Sequence, residues 1–314
     1  MDILARIVTP TLTATRARHG TYSIVARDAR TGELGVAVQS HWFSVGPIVP
    51  WARTGVGAVA TQANAEVSYG PLALEKLAQG MSARDVLDEL LQADPGRATR
   101  QVAIVDAAGL VAAHTGGGCM AFAGDAQGDA VSCQANIMAS ERVWPAMLEA
   151  FESHAGTLTD RLLAALDAAE RTGGDIRGRQ SAAILVVPPA GNAWDTVVAL
   201  RVEDHPDPLV ELARLVRLHD AYALAGLGDQ RAGEGRHDEA ASLYVRAGEL
   251  APESHELRFW AGLGAAQAGN MDVALAHVRG AIQQQPGWRE LLPRLTPEQA
   301  PSAQAVLERL DAGA

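Results

Sequence analysis

Helices that arrive in pairs constrain this chain more than any other feature. Across residues 22–203 the pattern reads strands, two helices, strands, two helices, strands. A simple alternating parallel sheet is excluded, because its helices come singly as crossovers. Period-two apolar alternation predicts strands at 22–27 and 34–40, joined by the turn-forming run 28–33. A third strand is predicted at 57–62, rich in small residues. Strands at 101–106 and 110–114 form a second hairpin across Ala107, Ala108 and Gly109. Further strands follow at 130–134, 181–187 and 196–203. Such hairpins imply antiparallel sheet.

The first helix pair opens at Pro71, which a first helical turn tolerates, and Gly80 closes its first member. Ser82 with Asp85 reads as a capping box opening a helix over 83–93, which Asp94, Pro95 and Gly96 end. The second pair covers 141–153 and 159–171, with Gly173 and Gly174 as the stop. The expected architecture is α+β, a four-layer αββα sandwich over residues 21–207.

Asp204-His-Pro-Asp-Pro208 ends this unit, since two prolines in three residues block both helix and central strand. Residues 208–314 read as nearly all helical and carry an internal repeat. Gly228, Gly235, Ala240, Tyr244, Ala247 and Pro252 recur 34 residues later as Gly262, Gly269, Ala274, Val278, Ala281 and Pro286. A 34-residue period with small, aromatic or aliphatic, and closing proline positions is the tetratricopeptide signature. Two repeats are marginal alone, so residues 209–224 and 303–310 are expected as packing and capping helices.

Composition removes several function classes. With 48% hydrophobic residues over 314, the chain has ample material for packed cores. No run approaches a membrane span. A net charge of −11 argues against nucleic acid as partner and leaves no basic anchor for a membrane surface. Residues 1–20 hold a short apolar stretch broken by Arg6, unlike a secretory signal. They are read as a leader or N-terminal extension, and a cytoplasmic location is expected. Cys119 and Cys133 are expected as buried, reduced thiols rather than a metal site, and the scattered histidines show no metal-ligand spacing.

The sharpest chemical feature is Gly20 followed by Thr21 at the opening of the first strand. An N-terminal threonine is a small catalytic unit: its hydroxyl is the nucleophile, and its own α-amine, with a pKa of about 7.7–8.0, is the base. A preceding glycine frees the backbone for the acyl shift that releases a leader. Processing is therefore expected between Gly20 and Thr21.

The segments TYSIVARD (21–28), GVAV (35–38), VPWAR (49–53), GVGAVATQ (55–62), SYGP (68–71), NI (136–137) and DIRGRQSAA (175–183) resemble a bacterial family. It is the domain-of-unknown-function family numbered 1028, usually grouped with the N-terminal-nucleophile (Ntn) hydrolases. The resemblance spans residues 21–203 and implies the sandwich fold and a hydrolase of unassigned substrate. Family members begin at the position of Thr21. This chain carries 20 residues before it.

Within that resemblance, Asn136 is expected to donate to a developing oxyanion. Asp175, Arg177, Gln180 and Ser181 form a polar cluster leading into an apolar strand, with Asp–Arg pairing fixing the arginine. Gln39, Ser40 and His41 end the second strand. One of them is expected to bond the threonine amine, with Ser40 as the catalytic candidate. Gln62, Tyr69, Gln180 and Arg53 are candidates for binding substrate, and Arg177 or Arg53 would suit a substrate carboxylate. Lys76 is the only lysine, so 25 of the 26 basic residues are arginine. Arginine stays protonated and cannot serve as a base, which leaves that role to the threonine amine. Cys119, in a glycine-rich loop, is a weaker nucleophile candidate with no visible base.

The sequence thus predicts an Ntn-type hydrolase acting on a small-molecule or peptide amide, with no metal and no cofactor, and a homo-oligomer, a dimer. The alternative is a catalytically silent scaffold binding a protein partner through the tetratricopeptide-like region. A third reading is a small-molecule binding module using the same pocket without chemistry.

Overall fold

The period-two runs at the start of the domain become strands buried along nearly their whole length. A computed structural model describes residues 20–312; of the leader expected over 1–20, only Gly20 falls within them. β1 (Thr21–Arg27) and β2 (Leu34–Ser40) pair antiparallel, with Thr21 opposite Ser40 and Arg27 opposite Leu34. The turn between them is set by Asp28, whose carboxylate accepts the N–H groups of Arg30 and Thr31.

Two sheets follow. β3 (Pro50–Arg53), β4 (Gly57–Ala63), β5 (Arg100–Asp106) and β6 (Val111–Thr115) form a four-stranded sheet in that order. β7 (Gly124–Gly128), β8 (Val131–Asn136), β9 (Ser181–Val187) and β10 (Val198–Val202) join the first hairpin in a six-stranded sheet, ordered β10-β9-β2-β1-β8-β7. These strands all pair antiparallel. β3 and β7 carry no alternating signal and were not expected as strands. Both lie at sheet edges, where a proline or a run of small polar residues is tolerated.

Strand parity assigns each side chain to a face. Val25, Val36 and Val38 meet Ala58, Ala60, Ala103 and Val105 in one cluster between the sheets. The small residues of β4 and β5 let the sheets approach. On the other face of β4 and β5, Val59, Val102 and Ile104 pack on α1 (Tyr69–Ala78) and α2 (Ala83–Ala93) through Ala73, Val86 and Leu87. Ser82 caps α2 by accepting the Asp85 N–H, and its hydroxyl donates to the Asp85 carboxylate. α3 (Val143–Ser153) and α4 (Leu158–Arg171) cover the outer face of the six-stranded sheet. Leu158 and Leu162 fill the space left by Gly35, and Trp144 lies against Gly124. Even-numbered Tyr22 points this way and donates to Glu170 of α4 at 2.6 Å.

The chain divides into two compact units between Ala213 and Arg214, inside helix α5 (Pro208–Gly233). α6 (His237–Leu250), α7 (His255–Gln267), α8 (Met271–Gln284), α9 (Gly287–Leu291) and α10 (Ala303–Ala312) follow. The 34-residue period is visible in the packing. Gly228 of α5 faces the Tyr244 ring, and 34 residues on, Gly262 faces Val278; a Cβ on either glycine would lie 2.7 Å from its neighbour. Gly235 and Gly269 occupy left-handed turns at φ 75° and 83°. The separate packing helix expected at 209–224 is corrected: it is continuous with the next helix as far as Gly233, because no proline interrupts α5. No helix of the described residues is long and apolar enough to cross a membrane.

Candidate functional site

β1 sits between β2 and β8, so strand register decides what surrounds Thr21. Thr21 is opposite Ser40 on one side and Asn136 on the other, and Ser40 is in turn opposite Ser181 of β9. Four polar residues therefore stand in a row across four strands: Ser181, Ser40, Thr21 and Asn136. Each is at most 1% exposed. They share the parity of Val25, Val38 and Ala183, which face the other sheet.

From that other sheet, Gln62 and Gln101 reach across. Gln62 Nε2 donates to Gln101 Oε1 at 2.8 Å and to the Thr21 carbonyl at 3.3 Å. Asn136 Nδ2 donates to the same Gln101 oxygen at 2.9 Å and to the Thr21 carbonyl at 3.4 Å. Ser23 donates to Gln62 Oε1 and accepts from Gln134 Nε2, both at 2.6 Å. A buried network of this kind fixes main chain tightly, because each unmade bond would leave a desolvated polar atom. Asn136 thus holds the backbone of Thr21.

The peptide before Thr21 is held as closely. The Gly20 carbonyl accepts from Ser40 Oγ at 2.6 Å and from Arg177 Nη2 at 2.9 Å. Ser40 Oγ also lies 2.9 Å from Thr21 Oγ1. Ser40 has one proton and gives it to Gly20, so the Thr21 hydroxyl is the donor in that second contact. Arg177 is fixed by Asp175 through Nε at 3.1 Å and Nη2 at 2.8 Å. The buried Asp175 carboxylate also accepts the N–H of Arg177 and that of His41.

Glycine at position 20 has a steric reason. A Cβ there would lie 2.6–2.8 Å from the Asp175 carboxylate atoms. Its φ is not in the left-handed region, so in this structure close approach, and not a positive φ, is what requires glycine there.

Beside Thr21 lies a small cavity of about 30 Å³. Thr21, Ser40 and Gln62 give it a polar floor. Trp42, Val45, Ile48 and Val49, from the connection after β2, form its apolar wall, and Ala63 and Ala65 complete it. Ser44, Ala63 and Ile137 take left-handed backbone at φ 57°, 66° and 58°. They are three of the four non-glycine residues with positive φ among the described residues, and each sits on a segment meeting Thr21. For a β-branched isoleucine this is a strained state, of the kind that clusters where function demands it.

The structure brings together Gly20, Thr21, Ser40, Gln62, Asn136, Asp175, Arg177 and Ser181. Ser181 accepts the Val45 N–H and donates to the Trp42 carbonyl, which ties down the cavity wall. The other candidates lie elsewhere. Arg53 is exposed opposite Gly57, five residues back along β4 from Gln62, or about 17 Å at ~3.4 Å per residue. Tyr69 is buried under the four-stranded sheet and donates to Asp94. Gln180 is half-buried and donates to Asp204. Lys76 pairs with Glu89.

Cys133 is buried and Cys119 only half-buried, which corrects the expectation for Cys119. Both are free thiols. Burial pushes the Cys119 thiol pKa up, against a smaller opposing pull from a hydrogen bond at Gly116. Its Sγ donates to the Arg100 carbonyl. Among the described residues no three of His, Cys, Asp and Glu cluster to hold a metal ion.

Sequence reasoning missed Gln101, Gln134, Ser23 and the wall residues Trp42, Val45 and Ile48. A signal was present for the glutamines. β4, β5 and β8 each carry one in an otherwise small or apolar run, and a fully buried glutamine requires partners.

A family model described as "Family of unknown function (DUF1028)" matches residues 21–212. The crystal structure of protein SPO2555 from Silicibacter pomeroyi, assigned to the same family model, superposes with a TM-score of 0.59 at 34% identity, covering 63% of this chain and 85% of that one. Anbu (ancestral beta-subunit) from Yersinia bercovieri aligns with a TM-score of 0.32 at 12% identity, covering 61% and 90%. Among curated proteins no match is found.

Proposed function

The chain belongs to the DUF1028 family, and from that premise we propose that its first unit is an N-terminal-nucleophile hydrolase of the four-layer αββα type, with Thr21 as nucleophile. The observation that carries this reading is the Gly20–Thr21 peptide itself. Its carbonyl takes two side-chain donors while the Thr21 hydroxyl points into the same hydrogen-bonded group.

The contacts trace a balanced route for releasing residues 1–20. Thr21 Oγ1 bonds to the Gly20 carbonyl carbon as its proton passes to Ser40 Oγ. Ser40 passes its own proton to the Gly20 oxygen. Arg177, held by Asp175, stabilises charge on that oxygen. The C–N bond then breaks, and the new hydroxyl's proton goes to the Thr21 nitrogen, leaving an ester. Water cleaves the ester, giving a Gly20 carboxylate and a free Thr21 amine.

On an amide substrate the freed amine takes the Thr21 hydroxyl proton while Oγ1 bonds to the acyl carbon. The amine then gives the proton to the departing nitrogen, and water clears the acyl group. Asn136, Gln62 and Gln101 keep the Thr21 main chain in place throughout.

Intact mass and N-terminal sequencing of the wild type beside Thr21→Ala test the reading. The expected result is a wild type that begins at Thr21, a variant that keeps residues 1–20, and amide turnover in the wild type alone. Equal turnover by both proteins in an amide library would overturn it.

For the helical region we infer a tetratricopeptide-like unit over 208–314 that binds a peptide or protein partner. The 34-residue packing repeat supports it. Loss of a co-purifying partner in Ala240→Asp or Ala274→Asp is the expected result.

A further inference from the structure

We propose that the Thr21 site takes glycyl acyl groups: its substrates are amides whose acyl side ends in glycine, R–NH–CH₂–CO–, and the Asp175 carboxylate excludes residues with a side chain on that carbon. This rests on the hydrolase reading above and narrows its substrate class.

Leader release and amide turnover pass through one kind of intermediate. In the first, Thr21 Oγ1 carries the Gly20 acyl group as an ester once the Gly20–Thr21 C–N bond has broken. In the second, Oγ1 bonds to the substrate's acyl carbon, and the amide nitrogen departs with the proton that the hydroxyl gave up. The same ester linkage remains. Water cleaves either ester, giving a carboxylate and restoring the Thr21 hydroxyl. The acyl carbon sits on one oxygen in both reactions, so the surroundings of Gly20 are those a substrate's acyl group meets. Ser40 Oγ and Arg177 Nη2 hold the Gly20 carbonyl oxygen at 2.6 and 2.9 Å. Once the leader has gone, they meet the substrate's carbonyl oxygen.

Asp175 sets the limit at the next carbon. A Cβ on Gly20 would lie 2.6 Å from Asp175 Oδ2 and 2.8 Å from both Oδ1 and Cγ. Carbon atoms pack at ~3.5–4.0 Å. Rotating the carboxylate leaves Cγ in the way, so the group must withdraw as a whole. It is held against that. Its side chain is 0% exposed, and it accepts from Arg177 Nε, Nη2 and N–H and from the His41 N–H. The Asp175 main chain is bridged to Met138 as well. Displacing the carboxylate would leave desolvated donors unpaired.

The cavity beside Thr21 offers a side chain no other seat, because its volume of about 30 Å³ is on the scale of water. The glycyl nitrogen is different. The chain enters Gly20 through it from His19, so a glycyl group extended at that nitrogen is admitted.

The test uses purified protein whose mass shows that it begins at Thr21. Its probes carry acetyl-glycyl, acetyl-L-alanyl, Arg-His-Gly and Arg-His-Ala acyl groups, each as a 7-amino-4-methylcoumarin amide and as a primary amide. Coumarin fluorescence and ammonia release report turnover. We expect kcat/KM for each glycyl probe to exceed that of its alanyl partner about 100-fold. Asp175→Ala opens the space and also loosens Arg177, so both rates should fall while the glycyl-to-alanyl ratio drops at least tenfold. Asp175→Asn fills the same space and should slow both probes with the ratio kept.

Equal turnover of glycyl and alanyl probes by the wild type overturns the glycyl class and leaves the hydrolase standing. A ratio unmoved in Asp175→Ala overturns Asp175 as the residue that sets it. No turnover of any probe sinks the hydrolase reading, and the glycyl class falls with it.

Discussion

A hydroxyl placed between another hydroxyl and a carbonyl can hand a proton on, and Ser40 is so placed between Thr21 and Gly20. Ser40→Ala removes that relay and one of the two carbonyl donors but little volume. Release of residues 1–20 should slow by about 10²–10³-fold, the usual cost of one such donor, as read by a mass-spectrometric time course. Gly20→Ala should slow it too, because its Cβ would land on the Asp175 carboxylate and push that group off Arg177. A wild-type release rate in both variants would remove Ser40 and Asp175 from the mechanism. Cys119 belongs to the same scale. Its raised thiol pKa keeps it protonated near neutrality, so Cys119→Ser should retain full Thr21-dependent turnover.

Among the elements, the end of α2 is where three segments are tied by one carboxylate. Asp94 accepts from Arg100 Nε at 2.7 Å, from the Tyr69 hydroxyl at 3.0 Å and from the Gly96 N–H at 2.6 Å. The Arg100 hydrogen bond is the largest cause of a lowered Asp94 pKa, against burial. A carboxyl group depressed in the folded state stabilises above its unfolded pKa of about 3.9 and loses that contribution as pH falls through the folded value. Asp94→Asn should therefore cost about 1–3 kcal/mol at pH 7, and the gap to wild type should close as pH falls below the unfolded carboxyl pKa of about 3.9. Urea unfolding at several pH values measures it, and a constant gap would exclude the carboxylate as its source. Elements of this size were legible in the sequence: β2, α2 and β9 begin and end where alternation, caps and prolines predict. β3 and β7 were not, because their pairing is imposed by the neighbouring strand.

At the scale of the whole molecule, each of the two units has its own core. In the helical unit Phe259, Ala274, Val278 and Ala281 are fully buried. A buried, unpaired aspartate at Ala274 should cost several kcal/mol and lower the helical unfolding transition by about 10 °C or more. Gly262→Leu should act in the same direction, since its Cβ would meet Val278. Thermal circular dichroism at 222 nm reads both, and an unchanged transition would contradict the packing seen between α7 and α8.

The sequence alone determined eight of the ten strands and the paired helices, the face their residues take, the 34-residue repeat and the Gly20–Thr21 junction. These follow from local periodicity, turn chemistry and the small size of particular residues. Only the tertiary structure decided that Ser40, Asn136 and Ser181 line up with Thr21, because β1 pairs at once with β2 and with β8 more than a hundred residues later. It also decided that Asp175 and Arg177 close over Gly20, while Arg53 and Tyr69 turn elsewhere. The apolar cavity has the same origin. Its wall is made by a connection with no periodic signal, held in place by the Ser181 hydroxyl and the edges of two sheets.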